Sequence, residues 1–204
     1  MKFVKPLTLF KEVIKGQDKA RQASDVVDTK LPGRFLCTHV GRGCVGLSLS
    51  DSNNNTSIPL APRKNKRVVV YLQEIIPQYN VEGLVVAYPS VGNTVIPNGA
   101  QVKAFIDDMC KLGEFEGLKY TYWDESMTSK DAKYHANMYV RVLSLRLENS
   151  QISDKYRQIG RKRVSDVFDA MRILKVYLDY ASVYAELDID RITQSNQSYH
   201  PSTI

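Results

Sequence analysis

The chain has 204 residues, which is enough for one domain with a sizeable core but short for two. Hydrophobic residues make up 43% of it and charged residues 25%, a composition that excludes a disordered or fibrous protein. Its 28 lysines and arginines outnumber the 22 aspartates and glutamates, and the resulting net charge of +6 favours a polyanionic partner such as RNA or DNA.

The cysteines and the hydropathy of the chain indicate where in the cell the protein is expected. The three cysteines form no CxxC pair, which argues against a disulfide framework or a structural zinc site. No apolar run approaches the roughly 20 residues that a membrane-spanning helix needs. We therefore expect an intracellular protein, cytoplasmic by default, with no membrane partner; its oligomeric state stays open.

Residues 1–30 are interpreted as an N-terminal extension, rich in lysine with apolar residues between the charges. An amphipathic helix that packs on the domain is the favoured interpretation. The alternative is a targeting helix for a mitochondrion or plastid, although Glu12 and Asp18 are unusual in such peptides. The main domain is predicted over residues 31–185, and the polar segment 186–204 is predicted to be a flexible tail.

The domain opens with two predicted strands, Arg34–Val40 and Cys44–Ser50, joined by the short turn Gly41–Gly43. Apolar and small residues alternate in the second strand with the period of a half-buried strand. Turn-forming residues follow at 51–55, so Thr56–Leu60 is predicted to return as a third antiparallel strand.

Helices and strands then alternate along the chain. Their periodicity predicts, in order, helix Arg67–Gln78, strand Gly83–Ala87, helix Val102–Leu112, strand Leu118–Trp123, and helices Lys130–Leu147 and Arg163–Tyr184. Three antiparallel strands followed by this alternation predict an α/β fold with a mixed sheet. Its later strands are parallel, and helices cover both of its faces.

Four acidic residues lie where an α/β fold can gather them. Asp124 and Glu125 directly follow a predicted strand, at the sheet edge where such folds bind ligands. Asp166 and Asp169 are three residues apart near the start of the last helix, so they share one face. Carboxylates from separate elements suit magnesium ions, which promote phosphodiester hydrolysis. Taken singly, each is more typical of a solvated surface group.

Two basic clusters stand out, Arg63–Arg67 and the run Arg161, Lys162 and Arg163. Charge runs are usually solvated faces, and that is the default interpretation of either cluster alone. The second cluster immediately precedes the helix of Asp166, where it is suited to position a phosphate backbone.

Four segments carry motifs of one known family in the family's order. FLCTHVGRGCVGLSLSD at 35–51 looks like an opening strand pair, and LVVAYP at 84–89 looks like a VVGLP-type strand end. WDESMTS at 123–129 is similar to a DERLT motif, and VSDVFDAMRILKVYL at 164–178 is similar to a helix with the pattern VDxxAAxxIL. The chain thereby resembles the YqgF/RuvX family of Holliday-junction-resolvase-like pre-16S rRNA nucleases. The resemblance implies a ribonuclease-H-like fold.

The resemblance also implies a nuclease site with Mg²⁺ or Mn²⁺ as its cofactor. Asp124 matches the acidic residue that opens the DER motif, with Glu125 beside it, and Asp166 matches the acidic residue of the last helix. The metal-binding set implied for this chain is Asp124, Asp166 and Asp169. The family's first-strand aspartate, however, falls on His39.

This chain departs from the family's pattern at several positions. The arginine of DER is Ser126, and the GLP loop is replaced by the segment 87–89. The basic pair common after the first strand is replaced by Gly43-Cys44, although Arg42 lies next to it. Histidine for aspartate at position 39 removes a negative charge and two oxygen ligands, and a neutral imidazole suits zinc, copper or nickel better than magnesium. A satisfied, partly buried histidine on a central strand is the favoured interpretation of His39.

Two functional hypotheses follow. In the first, the protein binds nucleic acid and acts either in ribosomal RNA processing or on branched DNA, where Asp124, Glu125 and Asp166 hold a divalent metal for phosphodiester cleavage. In the second, it is a pseudoenzyme that keeps the domain as an RNA-binding or assembly module. The substitution at His39 favours the second hypothesis over the first.

Overall fold

The structure is a computed structural model, and it describes residues 1–22, 31–41, 43–89, 97–125 and 154–197. Its strands are β1 Lys2–Phe3, β2 Arg34–Val40, β3 Cys44–Ser50, β4 Ser57–Lys64, β5 Val81–Tyr88 and β6 Lys119–Asp124. The described helices are α1 Pro6–Gln22, α2 Asn65–Gln78, α3 Pro97–Lys111 and α4 Asp154–Gln197.

The strands form one mixed sheet in the order β1-β6-β5-β2-β3-β4. Strands β2, β3 and β4 are antiparallel, whereas β5 is parallel to β2, β6 to β5 and β1 to β6. Apolar residues of α1 and α4 pack on one face, and those of α2 and α3 pack on the other. This arrangement confirms the predicted ribonuclease-H-like α/β fold.

The N-terminal segment packs on the domain through aromatic residues. The Phe35 ring lies 5.8 Å from the Phe10 ring and 5.6 Å from the Tyr177 ring, measured between centroids. The hydroxyl of Tyr177 donates a hydrogen bond to the carbonyl of Pro6 at 3.0 Å. Helix α1 is therefore part of the core that supports β2, as its amphipathic pattern predicts. Strand β1 is too short for a pattern to reveal.

The third strand is longer than predicted. It continues past Leu60 to Lys64 and includes both Pro59 and Pro62. Proline removes a backbone donor, which argues against a central strand but is tolerated at a sheet edge. Because β4 is an edge strand of the sheet, it accommodates both prolines.

Two helices also extend beyond their predicted bounds. Helix α3 begins at Pro97 instead of Val102, because proline suits a first helical turn although Pro-Asn-Gly also suits a turn. Helix α4 continues past Tyr184 to Gln197, so residues 186–197 are helical where a polar tail is predicted. No glycine or proline interrupts the chain between Gly160 and Pro201. The predicted helix Lys130–Leu147 lies outside the described residues.

Two further observations bear on the sequence-based expectations. No described helix is long and apolar enough to cross a membrane. The three cysteines form no disulfide; Cys37 and Cys44 are buried and Cys110 is exposed.

Candidate functional site

Two parallel strands bring His39 and the acidic pair to one edge of the sheet. His39 lies near the carboxyl end of β2, Asp124 ends β6, and Glu125 follows it. Strand β5 lies between these two strands and runs parallel to both. Ligand sites of α/β folds lie at this edge, because the chain leaves every parallel strand there.

A glycine opposite His39 lets the last helix reach the same place. Gly46 of β3 is the register partner of His39, and a Cβ atom on Gly46 would lie 2.0 Å from the backbone oxygen of Asp166. A Cβ atom on Gly41 would lie 2.7 Å from Oδ2 of Asp166. Since both residues lack a side chain, α4 packs directly on the β2–β3 hairpin and places Asp166 beside His39.

His39 is the centre of the resulting cluster. Its Nε2 lies 3.4 Å from Oε1 of Glu125, and its Nδ1 lies 3.6 Å from Oδ1 of Asp166. The side chains of His39 and Asp166 are only 17% and 15% exposed, which limits the screening of their interaction by water. Three segments that are far apart in the sequence therefore meet around one imidazole.

Asp169 extends the cluster by one helical turn. One ligand atom from each of His39, Asp166 and Asp169 lies within 4.8 Å of the other two. Asp169 also forms an ion pair with Arg172, with Nη2 of the arginine 3.3 Å from Oδ1 of the aspartate. Among the residues that the structure describes, Asp124 is not part of this close group, so its metal-binding role stays a prediction.

The electrostatics of the cluster act on Glu125. Burial raises the pKa of its carboxyl group above the ordinary value, and the neighbouring Asp169 and Asp124 carboxylates raise this pKa further. The charges of His39 and Arg172 act in the opposite direction. Because burial is the largest of these effects, the pKa of Glu125 is raised on balance.

The donor set fits a divalent cation. It offers two carboxylates and one imidazole, and the buried Nδ1 atom of His39 has no hydrogen-bond partner among the residues that the structure describes. Buried ring nitrogens normally have a partner, so an unsatisfied Nδ1 beside the carboxylate of Asp166 suits a ligand atom. An imidazole with carboxylates suits a transition ion better than Mg²⁺, which prefers oxygen ligands only.

Two residues of the site have no counterpart in the predicted set. The thiol of Cys44 donates a hydrogen bond to Oδ2 of Asp166 at 2.9 Å. Arg172 neutralises part of the negative charge, and its spacing of three residues from Asp169 on a helix is the signal that could have revealed it. Cys44 gave no such signal, because its contact spans a long sequence separation.

The structure does not describe the side chains of the predicted nucleic-acid-binding residues. Arg161, Lys162 and Arg163 belong to α4, but their side chains are outside the described part, and Arg42 and Ser126 lie outside it altogether. In the other basic cluster, the guanidinium carbon of Arg63 lies 3.7 Å from the ring centroid of Tyr71. That arginine is tied to the domain by a cation–π contact.

The mixed sheet, its strand order and the polar cluster at its carboxyl edge define a ribonuclease-H-like protein. The family model described as "RuvX: Holliday junction resolvase" matches residues 33–180. The chain belongs to this family.

Two relatives that share one description and a solved structure also match this chain. A protein of Agathobacter rectalis described as "Putative pre-16S rRNA nuclease" is 29% identical over 156 residues, which cover 73% of this chain and 96% of that protein. A relative of the same description from Ruminiclostridium cellulolyticum is 29% identical over 151 residues, or 72% of this chain and 94% of that protein. Among solved structures, "T. thermophilus RuvC in complex with Holliday junction substrate" covers 74% of this chain and 95% of its own at 14% identity and a TM-score of 0.49.

Proposed function

We propose that this protein binds structured nucleic acid at the carboxyl edge of its sheet and acts in ribosomal RNA processing. The observation that carries the proposal is the convergence of His39, Glu125 and Asp166 from three distant segments into one partly buried cluster. Membership of the RuvX family and relatives described as pre-16S rRNA nucleases support an RNA substrate. The net charge of +6 supports a polyanionic one.

The proposal includes weakened cleavage with Mg²⁺. His39 stands where the family has its first-strand aspartate, and it supplies neither the negative charge nor the oxygen ligands of that residue. Its imidazole faces the carboxylates of Glu125 and Asp166 from the place at which a carboxylate would complete an all-oxygen site. A magnesium ion at this site therefore has fewer oxygen ligands and less negative charge to balance its own, so it binds more weakly.

The second candidate function is an active metal-dependent nuclease, and Asp169 favours it. This residue stands where the pattern VDxxAAxxIL has its first alanine, and it adds a carboxylate close to His39 and Asp166. When bound, a divalent ion would supply an activated water and stabilise the leaving oxygen. Asp124, Asp166 and Asp169 are the carboxylates available for Mg²⁺ or Mn²⁺.

Cleavage assays on two substrates test the proposal. Structured RNA and four-way DNA junctions are incubated with Mg²⁺ or Mn²⁺ and with the natural protein, Asp124→Asn, Asp166→Asn or His39→Asp. We expect binding with little cleavage by the natural protein in Mg²⁺, and a gain of Mg²⁺-dependent cleavage in His39→Asp. Efficient cleavage by the natural protein in Mg²⁺, abolished by Asp166→Asn, would establish the active nuclease instead. Absence of binding to either substrate would refute both functions.

A further inference from the structure

The two ring nitrogens of His39 have different surroundings. Nε2 lies 3.4 Å from Oε1 of Glu125, an ion-pair distance slightly longer than an ordinary N–H···O hydrogen bond. Nδ1 lies 3.6 Å from Oδ1 of Asp166, and it is buried with no hydrogen-bond partner among the described residues. The imidazole thus has one carboxylate near each ring nitrogen, and its buried Nδ1 is unsatisfied within the described part of the chain.

The side chains of His39, Asp166 and Asp169 are grouped closely enough to share one metal ion. One ring nitrogen of His39 and one oxygen of each aspartate lie within 4.8 Å of one another. Two ligands of a tetrahedral zinc ion are about 3.4 Å apart, a difference that side-chain rotations close. Asp166 has one oxygen held by the thiol of Cys44 and the other facing His39, so its orientation is already set.

We propose that the cluster is a transition-metal site that takes Zn²⁺ in preference to Mg²⁺. Nδ1 of His39 and the carboxylates of Asp166 and Asp169 are its ligands. Glu125 is a positioning residue, which accepts the Nε2–H of His39 and orients the imidazole. Metal-bound histidines usually donate their other N–H to such a carboxylate. This site goes beyond the proposed function, because it names a cation that the family resemblance does not imply.

Without a metal, a protonated His39 between the two carboxylates would require different distances. If His39 were an imidazolium that bridges Glu125 and Asp166, both ring nitrogens would donate hydrogen bonds. The observed distances, 3.4 Å from Nε2 to Glu125 and 3.6 Å from Nδ1 to Asp166, are both longer than such hydrogen bonds. An ion between Nδ1 and the two aspartates satisfies the nitrogen and the negative charges together.

Metal binding is tested on the full-length protein without a polyhistidine tag and without nucleic acid. Affinity for Zn²⁺ and for Mg²⁺ is measured by competition with a chromophoric chelator. Pulsed electron paramagnetic resonance with Mn²⁺ as probe detects a coordinated imidazole nitrogen. We expect tighter binding of Zn²⁺ than of Mg²⁺ and a nitrogen signal in the natural protein.

Substitutions test which side chains bind the metal ion. His39→Asn should lose the nitrogen signal and most of the Zn²⁺ affinity, and His39→Asp should shift the preference toward Mg²⁺. Glu125→Gln should weaken Zn²⁺ on the order of 10- to 100-fold while the nitrogen signal remains, because it disturbs only the orienting group. His135→Gln and His200→Gln remove the other two histidines of the chain and should change neither readout.

Three results would overturn the site. They are a natural protein without a nitrogen signal, a signal that persists in His39→Asn, and equal Zn²⁺ affinity in the natural protein and in His39→Asn. The first of these needs no variant, so the proposal stays testable even if a substitution prevents folding. Because nucleic acid is absent, failure here leaves the proposed function standing, and failure to bind nucleic acid leaves this site standing.

Discussion

At the scale of single residues, Gly46 decides whether the site exists. It is the cross-strand partner of His39, and the backbone of Asp166 occupies the space that a side chain would need. The close approach of α4 to β3 therefore depends on a glycine, which carries no functional group of its own.

We expect Gly46→Ala to lower the free energy of unfolding by about 1–3 kcal/mol, because the new methyl group forces α4 away from the sheet. The same change should weaken metal binding, since it moves Asp166 away from His39. Chemical denaturation and metal titration measure both effects. Gly43→Ala is the matched control, because a Cβ atom at that position would meet no atom within 4 Å. Equal effects of the two substitutions would refute this role of Gly46.

The cysteines should differ sharply in reactivity. Burial raises the pKa of the Cys37 thiol, and the nearby Glu125 carboxylate raises it further, so its reactive thiolate is suppressed. Cys110 is exposed, whereas Cys44 is buried. In the native state, iodoacetamide should therefore alkylate Cys110 and leave the other two unmodified, as mass spectrometry would reveal. Rapid native-state alkylation that persists in Cys110→Ser would contradict this prediction.

At the scale of elements, the N-terminal segment is held to the last helix by a buried tyrosine. The side chain of Tyr177 is fully buried in α4, and its hydroxyl donates to the carbonyl of Pro6 at the start of α1. The same ring packs against Phe35 of β2 and Trp123 of β6. One residue thus joins both helices of this face to the strands that carry the site.

Tyr177→Phe should cost about 1 kcal/mol of unfolding free energy, because it removes the hydrogen bond and leaves the Pro6 carbonyl without this donor. Tyr184→Phe is the control on the same helix. The side chain of Tyr184 is 46% exposed, and its loss of a hydroxyl should change the stability by less than about 0.5 kcal/mol. Equal stability of Tyr177→Phe and the natural protein would show that the hydrogen bond does not contribute.

At the scale of the whole molecule, two basic clusters are candidates for binding a polyanionic partner. One immediately precedes the Asp166 turn of α4, whereas the other lies at the start of α2, where Arg63 stacks on Tyr71. Proximity in the sequence to Asp166 favours the first cluster as the phosphate-binding one.

Replacing Arg161, Lys162 and Arg163 together with alanine should reduce the slope of log affinity against log salt by about 2–3, because each lost phosphate contact removes nearly one released counterion. Replacing Lys64, Lys66 and Arg67 removes the same charge from the other cluster and should change the slope by less than about 1. Fluorescence anisotropy over a salt series measures both slopes. A larger effect of the second triple variant would reassign the binding surface.

Much of the fold was predictable because its signals are local. The bounds of β2 and β3 agree with their predicted residues, since a period of two and a turn at Gly41–Gly43 are visible within a short window. The bounds of β4 and α4 were predicted less well. The prolines of β4 are tolerated only because it is an edge strand, and the edge is a property of the assembled sheet.

The sequence by itself determined the order of the elements, the family, and the candidate residues His39, Glu125 and Asp166, because these depend on periodicity and motif spacing along the chain. Only the tertiary structure decided which carboxylates face which nitrogen of His39, and that Cys44 and Arg172 join them. Those contacts depend on how closely α4 packs on β3 and on the direction in which the chain leaves β6. Both are set by packing between distant segments, which no local pattern records.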